Sequence, residues 1–496
     1  MPIGNLDLAI LVVYMAGTIA FGLWLGRGGT ARDYLLGGRD LPWWALLFSI
    51  VATETSTATF LSVPGIGYGN GLPGTTGDLR YLQLPLGFCI GRTIAAFVLL
   101  PLYFRGELFT AYDVLRHRSG PAVRTIASGM FLVARTIADG LRLYLAAVVL
   151  QIMLGWSLPF SVAVTGLTTL VYTLVGGIRA VVWTDVIQFF VYVFGASCAL
   201  VVLCDRVPGG LGGIVEFARA HDGLRTFDLS FDLASPYTLL AGLVGGAVLS
   251  IGSHGVDQII VQRYLAARSL ADARKALLWS GPIVLAQFAL FLFIGLGLHA
   301  FHAADPAAAA TFTKSDQVFA DFVVRELPRG LVGIVLGAVF AAAMSTLSSS
   351  LSASASALVN DFLLPWTGRS NDDPYALRAA RGATLAFAGL QIAVGTSGLG
   401  GSDAIVNQVL SIANVSTGVI LGLFLLALSA RPSPRASLVG LVAGLGVTSL
   451  VVLVLPRCNL TVAWPWHGVV TCGTTLVVGL LVRAIDRDPA PHGDPA

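Results

Sequence analysis

Long apolar runs, each closed by a short charged or Gly/Pro-rich joint, recur along the chain from Leu8 to Leu481. Many reach about 18 residues or more, enough for a helix to cross a hydrocarbon core roughly 30 Å thick. Cutting at the joints predicts spans near 8–26, 43–69, 79–104, 124–153, 158–175, 181–204, 238–262, 276–300, 331–362, 379–397, 403–429, 436–455 and 465–483. None of the long runs alternates polar and apolar positions over about ten residues, which excludes a transmembrane β-barrel. The pattern describes an all-α membrane protein with 13 transmembrane helices, and an odd number puts the termini on opposite sides.

Composition agrees with the pattern. Of 496 residues, 55% are hydrophobic and 11% charged, against roughly 25% charged in a soluble domain. Mean hydropathy is +0.80. Asp7 is the only charge before Arg27, and no small-residue cleavage site follows the first run, so that run is read as a retained span and not a signal peptide. With the N-terminus outside, nineteen Lys/Arg fall in inner loops and tail, eight in outer loops, and Arg92, Arg135 and Arg142 inside spans. The excess predicts an outer N-terminus and a cytoplasmic C-terminus. The connections 205–237 and 301–330 then face outward, as lids or as solvated loops. The net charge of +3, with no basic block, leaves nucleic acid out as a partner. Cys89, Cys198, Cys204, Cys458 and Cys472 form no CxxC pair and say little about redox compartment. With 28 Arg against two Lys, the composition fits a GC-rich bacterial genome and hence the cell inner membrane.

Two spans break their apolar run with small and polar residues, at Ala52-Thr53-Glu54-Thr55-Ser56-Thr57 and at Ser250-Ile251-Gly252-Ser253-His254-Gly255. They begin two five-helix units, 43–204 and 238–429, and an odd offset inverts one unit relative to the other. Gly and Ser alone serve helix packing. A matched pair of interruptions in inverted repeats instead points to a midplane binding site in a secondary transporter.

Candidate chemistry follows from the few polar groups inside spans. Sodium prefers oxygen ligands, which an unwound helix and neighbouring hydroxyls supply. Ser345, Thr346, Ser348 and Ser349 recur at offsets of three and four, toward one side of a helix. Such a face either packs closely on its neighbours or holds an ion. Asp185, a carboxylate inside an apolar span, must be paired, protonated or bound to a cation. Arg135, Asp139 and Arg142 are spaced for local ion pairing. Asp361 and Asp403 read as helix ends or loop partners. No phosphate-binding loop, metal-ligand cluster or Ser/His/Asp constellation indicates an enzyme, and no cofactor is implied beyond sodium as a co-substrate.

Four stretches carry a resemblance. His254-Gly-Val-Asp-Gln-Ile-Ile-Val-Gln-Arg263 with the following residues to Arg274, Ser49 to Gly65, Gly177 to Gln188, and Ala341 to Ser352 are similar, in that order, to the sixth, first, fifth and eighth core helices of the sodium:solute symporter family. The match spans roughly residues 5–455. It implies a LeuT-type 5+5 inverted repeat with one extra N-terminal and two extra C-terminal helices. The units become 1–42 (extra span and inner loop), 43–204 (first repeat), 205–237 (outer loop), 238–429 (second repeat) and 430–496 (two spans and cytoplasmic tail). It further implies sodium-coupled uptake of a small polar organic solute (a polyol, sugar derivative, amino acid or carboxylate) by alternating access, with no obligate protein partner.

By the same resemblance, a first sodium site takes Ala52, Thr55, Ala342, Ser345 and Thr346, and a second takes Asp185, Ser345, Ser348 and Ser349, giving two ions per cycle. The solute is expected at Glu54, Ser56, Thr59, Asp78, Ser250, Ser253, His254, Gln408 and Ser411. Arg135 either pairs locally or binds a carboxylate, as an Arg on this helix does in sialate-transporting relatives. Glu54, Ser253 and His254 depart from the residues usual in sugar carriers, which argues against a plain hexose. Asp257 and Gln258, near Arg263, read as structural. The alternatives are a proton-coupled symporter on the same fold, with Glu54 or Asp185 as the proton site, and a membrane sensor that has lost transport. A channel is disfavoured, since no selectivity-filter repeat is present.

Overall fold

The computed structural model describes residues 4–26, 30–69, 77–106, 108–303, 312, 316–397, 405–429 and 433–486. Asp403 lies outside them. Among these residues the regular structure is helical, and the β contact is an isolated bridge between Leu41 and Ala267. The main helices are α1 (Asn5–Leu25), α2 (Ala31–Leu36), α3 (Trp43–Glu54), α4 (Thr57–Tyr68), α5 (Gln83–Ile94), α6 (Asp113–Ser119), α7 (Pro121–Leu154), α8 (Leu158–Arg206) and α9 (Gly210–Ala220). They continue with α10 (Gly246–Gly255), α11 (Gln258–Leu265), α12 (Leu270–His302), α13 (Asp316–Glu326), α14 (Leu331–Leu358), α15 (Pro374–Thr396), α16 (Ile405–Ser429), α17 (Pro434–Ser449) and α18 (Trp464–Ile485).

Seven helices among the described residues are long and apolar enough to cross a membrane, or nine when each of two bent pairs is one span. That is fewer than the thirteen spans the hydrophobic pattern predicts. Part of the difference has a visible cause. The 49-residue α8 would be about 74 Å long if straight, more than twice a hydrocarbon core. Gly177 breaks it at φ 55°, ψ −156°, between the predicted spans 158–175 and 181–204. A Cβ there would stand 2.3 Å from the Tyr34 carbonyl oxygen, so only glycine fits. Predicted spans 124–153 and 379–397 are helical but carry internal charges, such as Arg135, Asp139 and Arg142 in α7 and Arg381 in α15.

The interior is organised around α14, which is buried along nearly its whole length and packs on α8, α1 and α7. Its first amides have no intrahelical acceptor. Asp7 of α1 reaches them, accepting from Gly330 N at 2.7 Å and Gly333 N at 2.8 Å. α5 and α10 approach closely through Gly87 and Gly91, where a Cβ would stand 2.2 Å and 2.4 Å from carbonyl oxygens of Gly242 and Ala247. α12 packs on α4, and α18 on α16 and α17.

The first bent pair, α3 and α4, turns by 61° at Thr55-Ser56, inside the predicted interruption. The second, α10 and α11, turns by 53°. Its break falls at Val256-Asp257, just past the predicted Ser250–Gly255, which stays helical. Small residues tolerate helix; the interruption comes where Asp257 caps α11 by accepting from Ile259 N at 2.9 Å.

Candidate functional site

Where α3 stops, its last carbonyls lose their helical donors. Ser56 N, which would serve the Ala52 carbonyl in a continuous helix, bonds Glu54 O instead at 3.1 Å. The freed oxygens meet α14. Ser345 Oγ donates to Ala52 O at 3.0 Å and Ala342 O at 3.2 Å. Thr346 Oγ1 donates to Thr53 O at 3.1 Å and Ala342 O at 3.4 Å. Ala52, Ala342, Ser345 and Thr346 thus converge, and all are buried. Thr55 sits at the break itself, but its hydroxyl donates to Val51 O and accepts from Gln287 of α12 at 2.6 Å. Thr53 O and Gln287 are additions; Gln287 was visible only as a lone amide in an apolar run.

One turn along, Ser348 and Ser349 donate back to Ser345 O at 3.1 and 2.7 Å. Asp185 of α8 faces them from full burial, and Arg263 of α11, equally buried, stands against its carboxylate. Arg263 Nη2 donates to Asp185 Oδ2 at 2.8 Å and to Ser349 Oγ, Nε donates to Ser49 Oγ at 2.7 Å, and Nη1 to Ile259 O at 2.7 Å. Ser49 Oγ completes Oδ2 at 2.6 Å. Asp185 Oδ1 is buried with no hydrogen-bond partner. Two of the four predicted second-site residues, Asp185 and Ser349, therefore already hold a guanidinium.

A cavity of about 160 Å³ lies between the bent pairs, bordered by Glu54, Ser56, Thr59, Ser250, Ser253 and Arg135 among the predicted residues. Tyr81, Phe88, Phe288 and Trp464 give it an aromatic side. Ser56 caps α4, accepting from Thr59 N at 3.4 Å. Ser250 Oγ donates to Phe88 O at 3.1 Å. Glu54 Oε2 accepts from Arg92 Nη2 of α5, and Oε1 stands 3.2 Å from His254 Nε2. Ser253 Oγ is 2.9 Å from His254 Nδ1. A carboxylate at a helix C-terminus is disfavoured by the macrodipole, and the Arg92 guanidinium, about 1% exposed like the His254 ring beside it, offsets it. Arg92 is detectable in the sequence only as a charge inside a span.

Arg142 binds Asp139 at 2.5 Å. Arg135 stands farther from acids, 3.7 Å from Asp139 and 3.9 Å from Asp257, and its buried Nε has no hydrogen bond. The local pairing is thus real for Arg142 and loose for Arg135. Asp257 borders the cavity as well as capping α11. Gln258 is structural, accepting from Ala111 N at 2.7 Å. Asp361 accepts from Thr110 and Ser128 at 2.8 and 2.6 Å, joining a loop and α7.

Asp78 is not among the cavity-lining residues. Its carboxylate is taken by Arg80, at 2.6 Å from Nε and 3.0 Å from N, and Arg80 also binds Asp228 at 2.9 Å. In this loop network Asp228 also accepts from the Ser230 hydroxyl and amide, which with Arg80 and Arg225 hold its carboxyl down to about 2. Gln408 and Ser411 fall on α16, and their side chains lie outside the described ones.

Comparison with known proteins bears on the chain as a whole. The sequence model of the sodium:solute symporter family matches residues 34–444. The human sodium/iodide cotransporter is 30% identical over 461 residues, covering 89% of this chain and 68% of its own. The sodium/glucose cotransporter of Vibrio parahaemolyticus is 28% identical over 359 residues, 66% of this chain and 63% of its own. A sodium/sialic acid symporter of Aliivibrio fischeri is 25% identical over 495 residues, 98% of this chain and 94% of its own. In overall fold the chain matches a solved substrate-bound, outward-open Na+-coupled sialic acid symporter with a TM-score of 0.86 at 24% identity, over 97% of this chain and 98% of that one.

Proposed function

The chain belongs to the sodium:solute symporter family, an integral membrane, sodium-coupled transporter and not an enzyme, and on that premise we propose that it imports a small organic carboxylate together with sodium. The first ion sits among the carbonyls of Ala52, Thr55 and Ala342 and the hydroxyls of Ser345 and Thr346. The observation that carries this is the meeting of the Ser345 and Thr346 hydroxyls with the carbonyls α3 leaves free. Those hydroxyls now donate; rotated, they present lone pairs, and the same oxygens become a cage for a hard cation. Because α3 and α14 lie on its two sides, the ion holds them together, and its loss to the cytoplasm lets them part.

The second ion takes Asp185 through its free Oδ1, with Ser345, Ser348 and Ser349, beside Arg263. The solute occupies the cavity at Glu54, Ser56, Thr59, Ser250, Ser253 and His254, with Gln408 and Ser411 contributing from α16. Asp78 takes part from the mouth through its bridge to Arg80. The carboxylate reading rests on charge. Glu54 is matched by Arg92, with His254 beside it, and Arg142 by Asp139, while Arg135 meets Asp139 and Asp257 only at 3.7 and 3.9 Å with no hydrogen bond from its Nε, which makes it the most loosely held cation on the cavity and the one able to turn to a solute carboxylate. The aromatic side suits an apolar portion of the same molecule.

The thirteen-span, 5+5 inverted repeat of the sequence reading is the architecture we assign, with 43–204 and 238–429 as the repeats, 205–237 as the outer loop, and 1–42 and 430–496 as the flanking units. Two breaks at matching positions and the division of α8 at Gly177 support it. The N-terminus is assigned outside and the C-terminus to the cytoplasm of a bacterial inner membrane. Uptake in proteoliposomes tests the function: a carboxylate solute accumulates when sodium is outside. Accumulation that ignores sodium and follows a proton gradient overturns it.

A further inference from the structure

Away from both broken helices, a polar cavity of about 200 Å³ opens where α1 ends, α8 breaks and α15 begins. Arg179 and Arg381 border it from two different helices. Both are exposed, and neither makes a hydrogen bond or ion pair among the described residues. The acid at the rim is already engaged: Asp33 accepts from the Thr30 amide and hydroxyl, each at 2.9 Å, closing the start of α2. Tyr34, on the cavity wall, bonds Thr173 O at 3.2 Å and Thr384 at 3.0 Å, which stiffens the wall but leaves the two guanidinium groups free.

The surroundings say what such a pair meets. From this cavity α8 runs back and α15 runs forward into the bundle's apolar zone. Leu385, 56% exposed, lies one turn beyond Arg381, and Val171, 42% exposed, lies one turn before the wall residue Val175, on the far side of the Gly177 break from Arg179. The walls nearest the cavity also include Leu25 and Val175. A recess with two guanidinium groups against the one capping carboxylate of Asp33 thus leads directly onto an exposed apolar lane. The recess lies at the ends carrying Arg32, Arg179, Arg378 and Arg381, the side the Lys/Arg count assigns to the cytoplasm.

We propose that this recess binds the phosphodiester of an anionic membrane lipid, with Arg179 and Arg381 on the phosphate and the acyl chains along Val171 and Leu385. Arginine pairs suit phosphate oxygens through several parallel N–H donors, and basic recesses between helices on this leaflet are where such head groups are held. A soluble phosphate shares the head-group chemistry but has no use for the apolar lane.

Melting of the purified full chain in detergent tests this, with added phosphatidylglycerol, phosphatidylcholine or glycerol phosphate. The two arginines contribute roughly fivefold each, so the wild type prefers phosphatidylglycerol to phosphatidylcholine by roughly 25-fold in apparent affinity. R179Q/R381Q, checked for an unchanged melting midpoint without lipid, loses that preference, and R179K/R381K retains most of it. If the double glutamine variant does not fold, R179Q and R381Q singly each lose about fivefold. A preference equal in wild type and glutamine variants, or none in the wild type, overturns the proposal. Stabilisation by glycerol phosphate as strong as by phosphatidylglycerol overturns it too, since the occupant would then be soluble.

Discussion

Removing either partner of the Asp185–Arg263 pair should have opposite consequences for the protein's response to sodium. Both side chains are fully buried and joined at 2.8 Å. Breaking such a pair from one side leaves an uncompensated buried charge and costs about 3–5 kcal/mol. In D185N the stranded charge is the Arg263 guanidinium, which sodium cannot neutralise. In R263Q it is the Asp185 carboxylate, beside Ser345, Ser348 and Ser349, and sodium can. At a sodium concentration about 100 times its dissociation constant, binding restores about 2.7 kcal/mol, most of the loss. The assay is melting of each purified variant with sodium exchanged for potassium at constant ionic strength. R263Q should recover with sodium and D185N should not, and in uptake D185N should lower the Hill slope for sodium from about 2 toward 1. Equal sodium responses in the two variants, or an unchanged Hill slope in D185N, would refute the assignment of a cation to the Asp185 pocket.

Replacing Ser345 or Thr346 by alanine removes one oxygen of the first site. At about 1.5–3 kcal/mol per contact with a charged group, sodium affinity measured by uptake should fall roughly 10- to 150-fold with little change in melting at saturating sodium. R135Q should weaken transport of a carboxylate solute by a similar factor and that of its uncharged amide much less. The loop tie of Arg80 to Asp228 carries a pH dependence of known sign. With the Asp228 carboxyl held at about 2 against about 4 when unfolded, its stabilisation is full above pH 4 and lost as pH falls toward 2. D228N should lower the melting midpoint at neutral pH, where the tie is fully formed, and the difference from wild type should vanish as pH falls toward 2.

What was legible in the sequence was local. The first helix break shows as a run of small and polar residues, Ala52 to Thr57, and the hydroxyl face of α14 as a three-four spacing. Asp185 stands out because nothing else in its span is acidic. What was hidden is pairing across the fold. Arg263 lies 78 residues from Asp185 and Arg92 lies 38 from Glu54, and which faces meet depends on how helices rotate against one another. The second break shifted to Val256-Asp257 for a similar reason, since a capping carboxylate ends a helix more decisively than a stretch of Gly and Ser. The tie of Asp78 to its neighbour two positions on, Arg80, and through it to the Asp228 loop was hidden in the same way, and Asp78 is not among the residues lining the cavity.

The central claim is that sodium moves with the solute through a site made by α3 and α14. Simultaneous flux of radiolabelled sodium and a labelled carboxylate in proteoliposomes measures it directly. The account predicts a fixed ratio of the two fluxes, with both lost together in a variant lacking the Ser345 and Thr346 hydroxyls. Solute uptake in that variant equal to wild type, or solute flux with no accompanying sodium, would contradict it.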